Sequence, residues 1–271
     1  MKILVTGGAG AMGQAIARHG AIALDRAALD IGDAAAVAAA LKAHAPAAVI
    51  NAAAYTLVDR AEQERDAAFA ANAKGAGVIA RACADAGVPL VHISTDYVFD
   101  GAATRPYRED DPVNPLSVYG ESKAEGERLV LAAGGCVVRT SWVFARGANA
   151  FVQKIAARLA APGPLTVVAD RHGCPTWADD LAAVLVELAT RGAPAGVWHY
   201  AGEPATTWHG LACAIAEELG EDPARIAPSV AVDPPGGARR PPYSVLDTSK
   251  LRAIGITPRP WRAGLADLLR R

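Results

Sequence analysis

Cysteine, histidine and net charge are all in short supply, and each scarcity closes off a class of protein. The 271 residues include four cysteines, Cys83, Cys136, Cys174 and Cys213, with no Cys-x-x-Cys pair among them. Such spacing supplies neither a disulfide framework nor a zinc site, so all four read as small packed side chains. The six histidines show no His-x-x-x-His or His-Glu-x-x-His spacing, and no bound metal is expected. Lysine and arginine number 27 against 28 acidic residues, a formal charge of -1 that leaves no electrostatic footprint for nucleic acid or an anionic membrane. No apolar run approaches the ~20 residues of a bilayer span, and residues 3–5 are too few for the apolar segment of a secretory signal. A cytoplasmic location is the expectation. What is plentiful is apolar: 52% of the chain is hydrophobic, ample for one large globular core with a smaller lobe.

The first half alternates strand-like and helix-like stretches. Residues 2–6 form a branched apolar run ending in Gly7-Gly8-Ala9-Gly10-Ala11-Met12-Gly13, and residues 14–19 look helical. In that setting Gly7, Gly10 and Gly13 allow a tight turn, close approach of backbone to a pyrophosphate, and close packing of helix on strand. The phosphates would sit at the helix N-terminus, where amide donors favour negative charge. A second strand at 21–24 ends at Asp25, an acid suited to adenosine ribose hydroxyls and adverse to a 2′-phosphate. Arg26 follows directly, and its guanidinium suits that phosphate. NADH and NADPH both stay open as cofactors. Asp33 reads as the cap of a helix over 33–44, and residues 47–51 form a third strand. Asn51-Ala-Ala-Ala54 leaves small side chains at that strand's carboxyl end, where a parallel sheet meets its ligand. Helices are expected over 60–70 and 72–86, and a fourth strand over 88–93.

Ser94-Thr95-Asp96-Tyr97 follows that strand, where a hydroxyl can bond a substrate carbonyl or simply cap the turn. Further on, Tyr119-Gly-Glu-Ser-Lys123 opens a helix that runs to about residue 131. A Tyr and a Lys four apart share one helix face. A phenol titrates near ~10, and an adjacent ammonium lowers that value and makes the oxygen a usable general acid or base. Residues 136–140 form a fifth strand, so a right-handed, mostly parallel sheet is expected. Beyond it, helices are expected at 151–160, 179–189 and 206–219, strands at 165–168 and 197–200, and short helices at 249–253 and 261–269. The fold class is α/β: a Rossmann-like doubly wound parallel sheet over 1–145, with 146–271 a smaller, mainly substrate-binding lobe that adds some core elements.

Together these stretches resemble the extended short-chain dehydrogenase/reductase superfamily and, within it, the dTDP-4-dehydrorhamnose reductase family. The glycine motif and the Tyr/Lys pair mark only the superfamily; residues 94–101, 139–142 and 246–251 are far more specific to the reductases. The resemblance implies an NAD(P)H-dependent oxidoreductase that reduces the C4 keto group of a nucleotide-linked sugar in dTDP-rhamnose and cell-wall polysaccharide synthesis. It assigns Tyr119 as proton donor to the sugar C4 oxygen, Lys123 as the residue that holds the nicotinamide ribose and lowers the Tyr119 pKa, and Thr95 as the polariser of the carbonyl. Asp96, Tyr97 and Trp142 would border the sugar beside Thr95 and Tyr119. Gly7, Gly10, Ala11, Met12, Gly13, Asp25, Arg26, Asp30, Ile31, Ala54, Tyr55, Thr56 and Ile93 would line the dinucleotide with Tyr119 and Lys123.

The chain departs from the family in a few places: Arg60 where Lys is frequent, Cys174 where a small Ser or Ala is usual, and Pro242-Tyr243 before Ser244 where Asn is common. No acidic cluster near the C-terminus matches the magnesium-linked dimer of some relatives, so a monomer or homodimer is expected. Two other readings share the motifs. One is a reductase, epimerase or dehydratase of another nucleotide-linked 4-keto sugar. The other is a non-enzymatic regulatory protein like the beta subunit of methionine adenosyltransferase.

Overall fold

A computed structural model describes residues 1–147 and 151–270. Six parallel strands form the central sheet: β1 (Ile3–Thr6), β2 (Ile22–Leu24), β3 (Ala48–Asn51), β4 (Leu90–Thr95), β5 (Cys136–Thr140) and β6 (Gly196–His199), in the order β6-β5-β4-β3-β1-β2. β1, β3 and β5 are buried at every position, as strands covered on both faces by crossover helices must be. On one face lie Ala11–Ala17 and Ala178–Thr190, packed with Ile3, Val5, Ile50, Val91 and Val138. On the other lie Ala34–His44, Ala76–Asp85 and Val118–Ala132, packed with Leu4, Val49 and Val137. The strand order reverses between β1 and β3, so a crevice opens at their carboxyl ends.

Several boundaries differ from the sequence-based expectation. The first helix begins at Ala11 rather than residue 14, because Gly13 lies inside it: a Cβ on Gly13 would stand 2.3 Å from the Gly7 carbonyl oxygen. The helices expected at 60–70 and 72–86 are Val58–Ala61 and a run from Arg65 to Asp85 that widens into a π turn at Ala70–Gly75. That turn directs the Asn72 side chain inward, where Nδ2 donates to Tyr55 O (3.0 Å) and Ser122 Oγ (2.9 Å) and Oδ1 accepts from Tyr55 N (2.8 Å). A strand at Ile226–Ser229, which pairs parallel with Leu165–Val168, has no counterpart in the expectation. Its sequence holds Pro228 and small residues, so it lacks the alternation that marks strands and survives as an edge. The second half of the chain builds a separate core around Phe144, Trp177, Ile215, Trp261 and Leu265, while its strand β6 and helix Ala178–Thr190 join the central sheet. Among the described residues no helix is long and apolar enough to cross a membrane.

One buried ion pair ties the Val118–Ala132 helix to β5. Arg139 and Glu127 are each 4% exposed; Arg139 Nη2 donates to Glu127 Oε2 at 2.7 Å and Nε donates to Oε1 at 2.9 Å. Removal of one partner leaves a desolvated charge without its counter-ion, whereas removal of both does not. Glu127→Ala is therefore expected to cost about 3–5 kcal/mol in denaturant unfolding. Replacing both residues with apolar ones of similar volume is expected to restore most of that loss.

Candidate active site

The glycine turn is shaped by what a side chain would strike. Gly7 has a φ of +70°, and a Cβ there would lie 2.7 Å from Ala53 N. Gly10 N donates to Gly7 O at 2.9 Å, which closes the turn before the first helix. These contacts bring bare backbone to the mouth of the crevice, an arrangement that fits a dinucleotide pyrophosphate. The crevice is a cleft of about 1170 Å³ that runs from this turn to β4 and β5.

Nearly all the residues expected on the cofactor side line this cleft: Gly7, Gly10, Ala11, Met12, Arg26, Asp30, Ile31, Ala54, Tyr55, Thr56 and Ile93. Gly13 and Asp25 do not. Gly13 serves the packing of helix on turn. Asp25 Oδ1 accepts from Ala28 N at 2.9 Å, so the short carboxylate caps its own turn, while its neighbour Arg26 stands in the wall. Asp33 caps the Ala34–His44 helix as expected, accepting from Ala35 N and Ala36 N.

Thr95, Asp96, Tyr97, Tyr119, Lys123 and Trp142 line the far end of the same cleft. Tyr119 sits in the first turn of the Val118–Ala132 helix, capped by Ser117 Oγ, which accepts from Gly120 N at 3.2 Å. Gly120 is what lets this helix reach the 96–98 turn, since a Cβ would stand 2.2 Å from Tyr97 O. The rings of Tyr97 and Tyr119 then meet edge to face, 5.8 Å between centroids. Lys123 is 2% exposed, and its Nζ donates to Ile93 O at 2.7 Å with His92 Nε2 3.3 Å away. His92 Nδ1 in turn meets Asn51 Nδ2 at 3.0 Å, an orientation set by Thr6 Oγ1 and Ala53 N, which both donate to Asn51 Oδ1.

The electrostatics differ from expectation in one respect. The Tyr119 phenol is not lowered but pushed up to about 12, because burial outweighs the hydrogen bond with Thr95, and the Asp96 charge adds to the rise. Lys123 is itself lowered to about 8 by burial, and its Nζ is turned towards Ile93 O. His92 is held well below its ordinary value by burial and by Lys123, and stays neutral.

Trp208 and Glu64 are wall residues that carried no sequence signal. Trp208, from the start of the Trp208–Leu219 helix, stacks on Trp142 at 3.7 Å between centroids. Trp142 has a φ of +45°, and the edge of its indole lies against Gly173, where a Cβ would be 2.4 Å from the ring. Tyr55 Oη donates to Glu64 Oε2 at 2.5 Å, and Arg60 forms an ion pair with the same carboxylate. Trp142 and Trp208 are too far apart in sequence for a motif to show their stacking, and no local pattern marks the Tyr55–Glu64 bond.

A glycine turn at the switch point of a parallel sheet, facing a Thr, Tyr and Lys at the end of β4 and its neighbouring helix, defines the class: an extended short-chain dehydrogenase/reductase. All 271 residues match the family model described as the RmlD substrate binding domain. A dTDP-4-dehydrorhamnose reductase of Streptomyces griseus is 44% identical, over 97% of this chain and 91% of its own. The crystal structure of a dTDP-4-dehydrorhamnose reductase from Clostridium acetobutylicum superposes with a TM-score of 0.93 at 35% identity, over 99% of this chain and 98% of that one. The dTDP-4-dehydrorhamnose reductase of Bacillus anthracis, solved in complex with NADP, superposes with a TM-score of 0.92 at 31% identity, over 98% and 96%. The chain belongs to the RmlD family of dTDP-4-dehydrorhamnose reductases.

Cys174 is buried and its thiol is pushed up to about 12 by burial, whereas Cys213 is partly exposed. A disulfide reagent at mildly alkaline pH is therefore expected to label Cys213 alone in the native protein and all four thiols after denaturation. Native labelling that survives Cys213→Ala would mark another thiol as accessible.

Proposed function

We propose that this chain reduces the C4 keto group of dTDP-4-dehydro-L-rhamnose to dTDP-L-rhamnose, with NADPH as the preferred reductant. What carries the reading is one juxtaposition: the Thr95, Tyr119 and Lys123 side chains stand in the same cleft as the glycine turn. Bound reduced nicotinamide supplies the hydride. The residues of this chain supply orientation and the proton. A reduction needs a general acid that arrives protonated, and a phenol pushed up to about 12 keeps its proton at neutral pH. Thr95 donates to the carbonyl oxygen and polarises it, and Tyr119 gives its proton to that oxygen as negative charge develops. Lys123 then faces a phenolate, whose charge favours the ammonium form and helps draw the phenol proton off. Asp96, Tyr97 and Trp142 border the sugar. The preference for NADPH rests on Arg26 in the cleft wall with Asp25 turned into its own loop, and on the NADP held by the Bacillus anthracis relative.

The test is reduced-nicotinamide absorbance on mixing the protein with dTDP-4-keto-L-rhamnose generated in situ and either NADPH or NADH. Sugar-dependent oxidation, faster with NADPH, is the expected result. Oxidation that ignores the sugar, or none with either cofactor despite cofactor binding, would sink the assignment. Tyr119→Phe is expected to lower turnover about 10²- to 10⁴-fold with cofactor affinity little changed, because only the proton donor is lost. Gly120→Ala is expected to lower it about 10²-fold by displacing Tyr119 from the 96–98 turn, which steady-state kinetics beside a cofactor titration resolves. Arg26→Ala is expected to remove about tenfold of the preference for NADPH, the worth of one charge-assisted contact, read from the two KM values.

A further inference from the structure

Behind Thr95 stands a carboxyl that the proton transfer above does not use. Asp96 is 2% exposed, and both its oxygens are engaged. Oδ1 accepts from Thr95 Oγ1 at 3.1 Å, and Oδ2 accepts from Ser244 Oγ at 2.5 Å. Among the described residues no cation pairs with it in a salt bridge. Thr95 Oγ1 meanwhile accepts from Tyr97 N at 3.2 Å.

A hydroxyl has one proton to give and two lone pairs to receive with. When Asp96 is a carboxylate, the Thr95 proton points at Oδ1, one lone pair takes Tyr97 N–H, and the remaining lone pair faces the cleft. In that state Thr95 can accept from the Tyr119 phenol but cannot donate to a substrate oxygen. When Asp96 carries a proton, its O–H donates to Thr95 Oγ1, both Thr95 lone pairs are filled, and the Thr95 proton is directed into the cleft. We propose that Asp96 is a positioning residue that sets the direction of the Thr95 hydroxyl, and that the productive form of the enzyme holds Asp96 protonated. The inference rests on the reading in which Thr95 polarises the substrate carbonyl.

The surroundings suit a carboxyl that carries its proton near neutrality. Burial raises Asp96 to about 7, against the pull of the hydrogen bonds from Ser244 and Thr95. The titratable groups around it are Tyr97 in its own turn, Tyr119 from the Val118–Ala132 helix and Cys174 from the segment after Gly173, all three pushed up and uncharged near neutral pH. Arg240 lies beyond Tyr97 and is engaged by Asp59. A group with a raised pKa is protonated below it and loses the proton as pH rises through it. Activity is thus highest on the acid side and falls through neutrality.

The experiment is the pH profile of kcat/KM for the wild type, Asp96→Asn and Ser244→Ala, with thermal melts to verify folding. Between about pH 6 and pH 8 the wild-type value is expected to fall more than tenfold, the factor for one group near 7 multiplied by the lesser loss from Lys123. Asparagine cannot ionise, and its amide can donate to Thr95 Oγ1 while its carbonyl accepts from Ser244. Asp96→Asn is therefore expected to fall only about twofold over the same range, through Lys123 alone. Ser244→Ala removes a donor that favours the carboxylate, so its limb moves to higher pH. An Asp96→Asn profile with the wild-type limb, or a Ser244→Ala limb that stays put or moves down, overturns the proposal. A readout without substrate separates this from the function itself: the infrared C=O band of a protonated carboxyl near neutral pH, present in wild type, absent in Asp96→Asn and persisting to higher pH in Ser244→Ala. Wild type with that band but no sugar-dependent oxidation at any pH refutes the proposed reaction. Wild type that turns over without the band refutes the role of Asp96.

Discussion

The approach of one helix to its neighbours at the contact distance of bare backbone is the constraint on which the site depends. Val118–Ala132 carries Tyr119 and Lys123, and it meets the 96–98 turn and the π turn at two glycines. A Cβ at Gly120 would stand 2.2 Å from Tyr97 O, and one at Gly126 would stand 2.1 Å from Asn72 O. Those approaches bring the Tyr119 ring to Tyr97 and seat the lysine beneath β4, while the Arg139–Glu127 pair holds the far end of the helix to β5. With glycine absent from either position the helix would have to shift, and reacting groups tolerate displacements of well under an ångström.

Burial then sets the charge state of Tyr119, Asp96, Lys123 and His92 at the far end of the cleft. Tyr119 and Asp96 are pushed up, Lys123 and His92 are pushed down, and in each case desolvation is the largest cause. All four shifts favour the uncharged form. At neutral pH Tyr119 and His92 are therefore uncharged, Asp96 is near half-protonated and Lys123 keeps most of its charge. A single hydroxyl, Thr95, bonds the Asp96 carboxyl in the cleft that Tyr119 and Lys123 also line.

The second half of the chain contributes Trp208 to the wall of this cleft and pairs short strands of its own, Leu165–Val168 with Ile226–Ser229. Its strand β6 extends the central sheet and its helix Ala178–Thr190 covers one face, while a smaller core around Trp177 and Trp261 supports the stacked pair Trp142 and Trp208. Ser244 reaches back from the C-terminal segment to the Asp96 carboxyl. The wall of the cleft is therefore assembled from segments more than a hundred residues apart.

What the sequence determined by itself was whatever is written in local pattern. The βα alternation, the glycine turn, the cap at Asp33 and the Tyr/Lys spacing are short-range features, each dictated by backbone sterics or helix geometry within a few residues. The strand at Ile226–Ser229 escaped because its pairing with Leu165–Val168, rather than its own residues, makes it a strand. Only tertiary structure decided that Asp25 turns into its own loop and Arg26 faces the cleft, that Trp208 lies on Trp142, and that Tyr119 is raised rather than lowered. The reason is physical: a pKa and a binding wall depend on how much water is excluded and on which distant backbone comes close, and neither is encoded in the spacing of neighbouring residues.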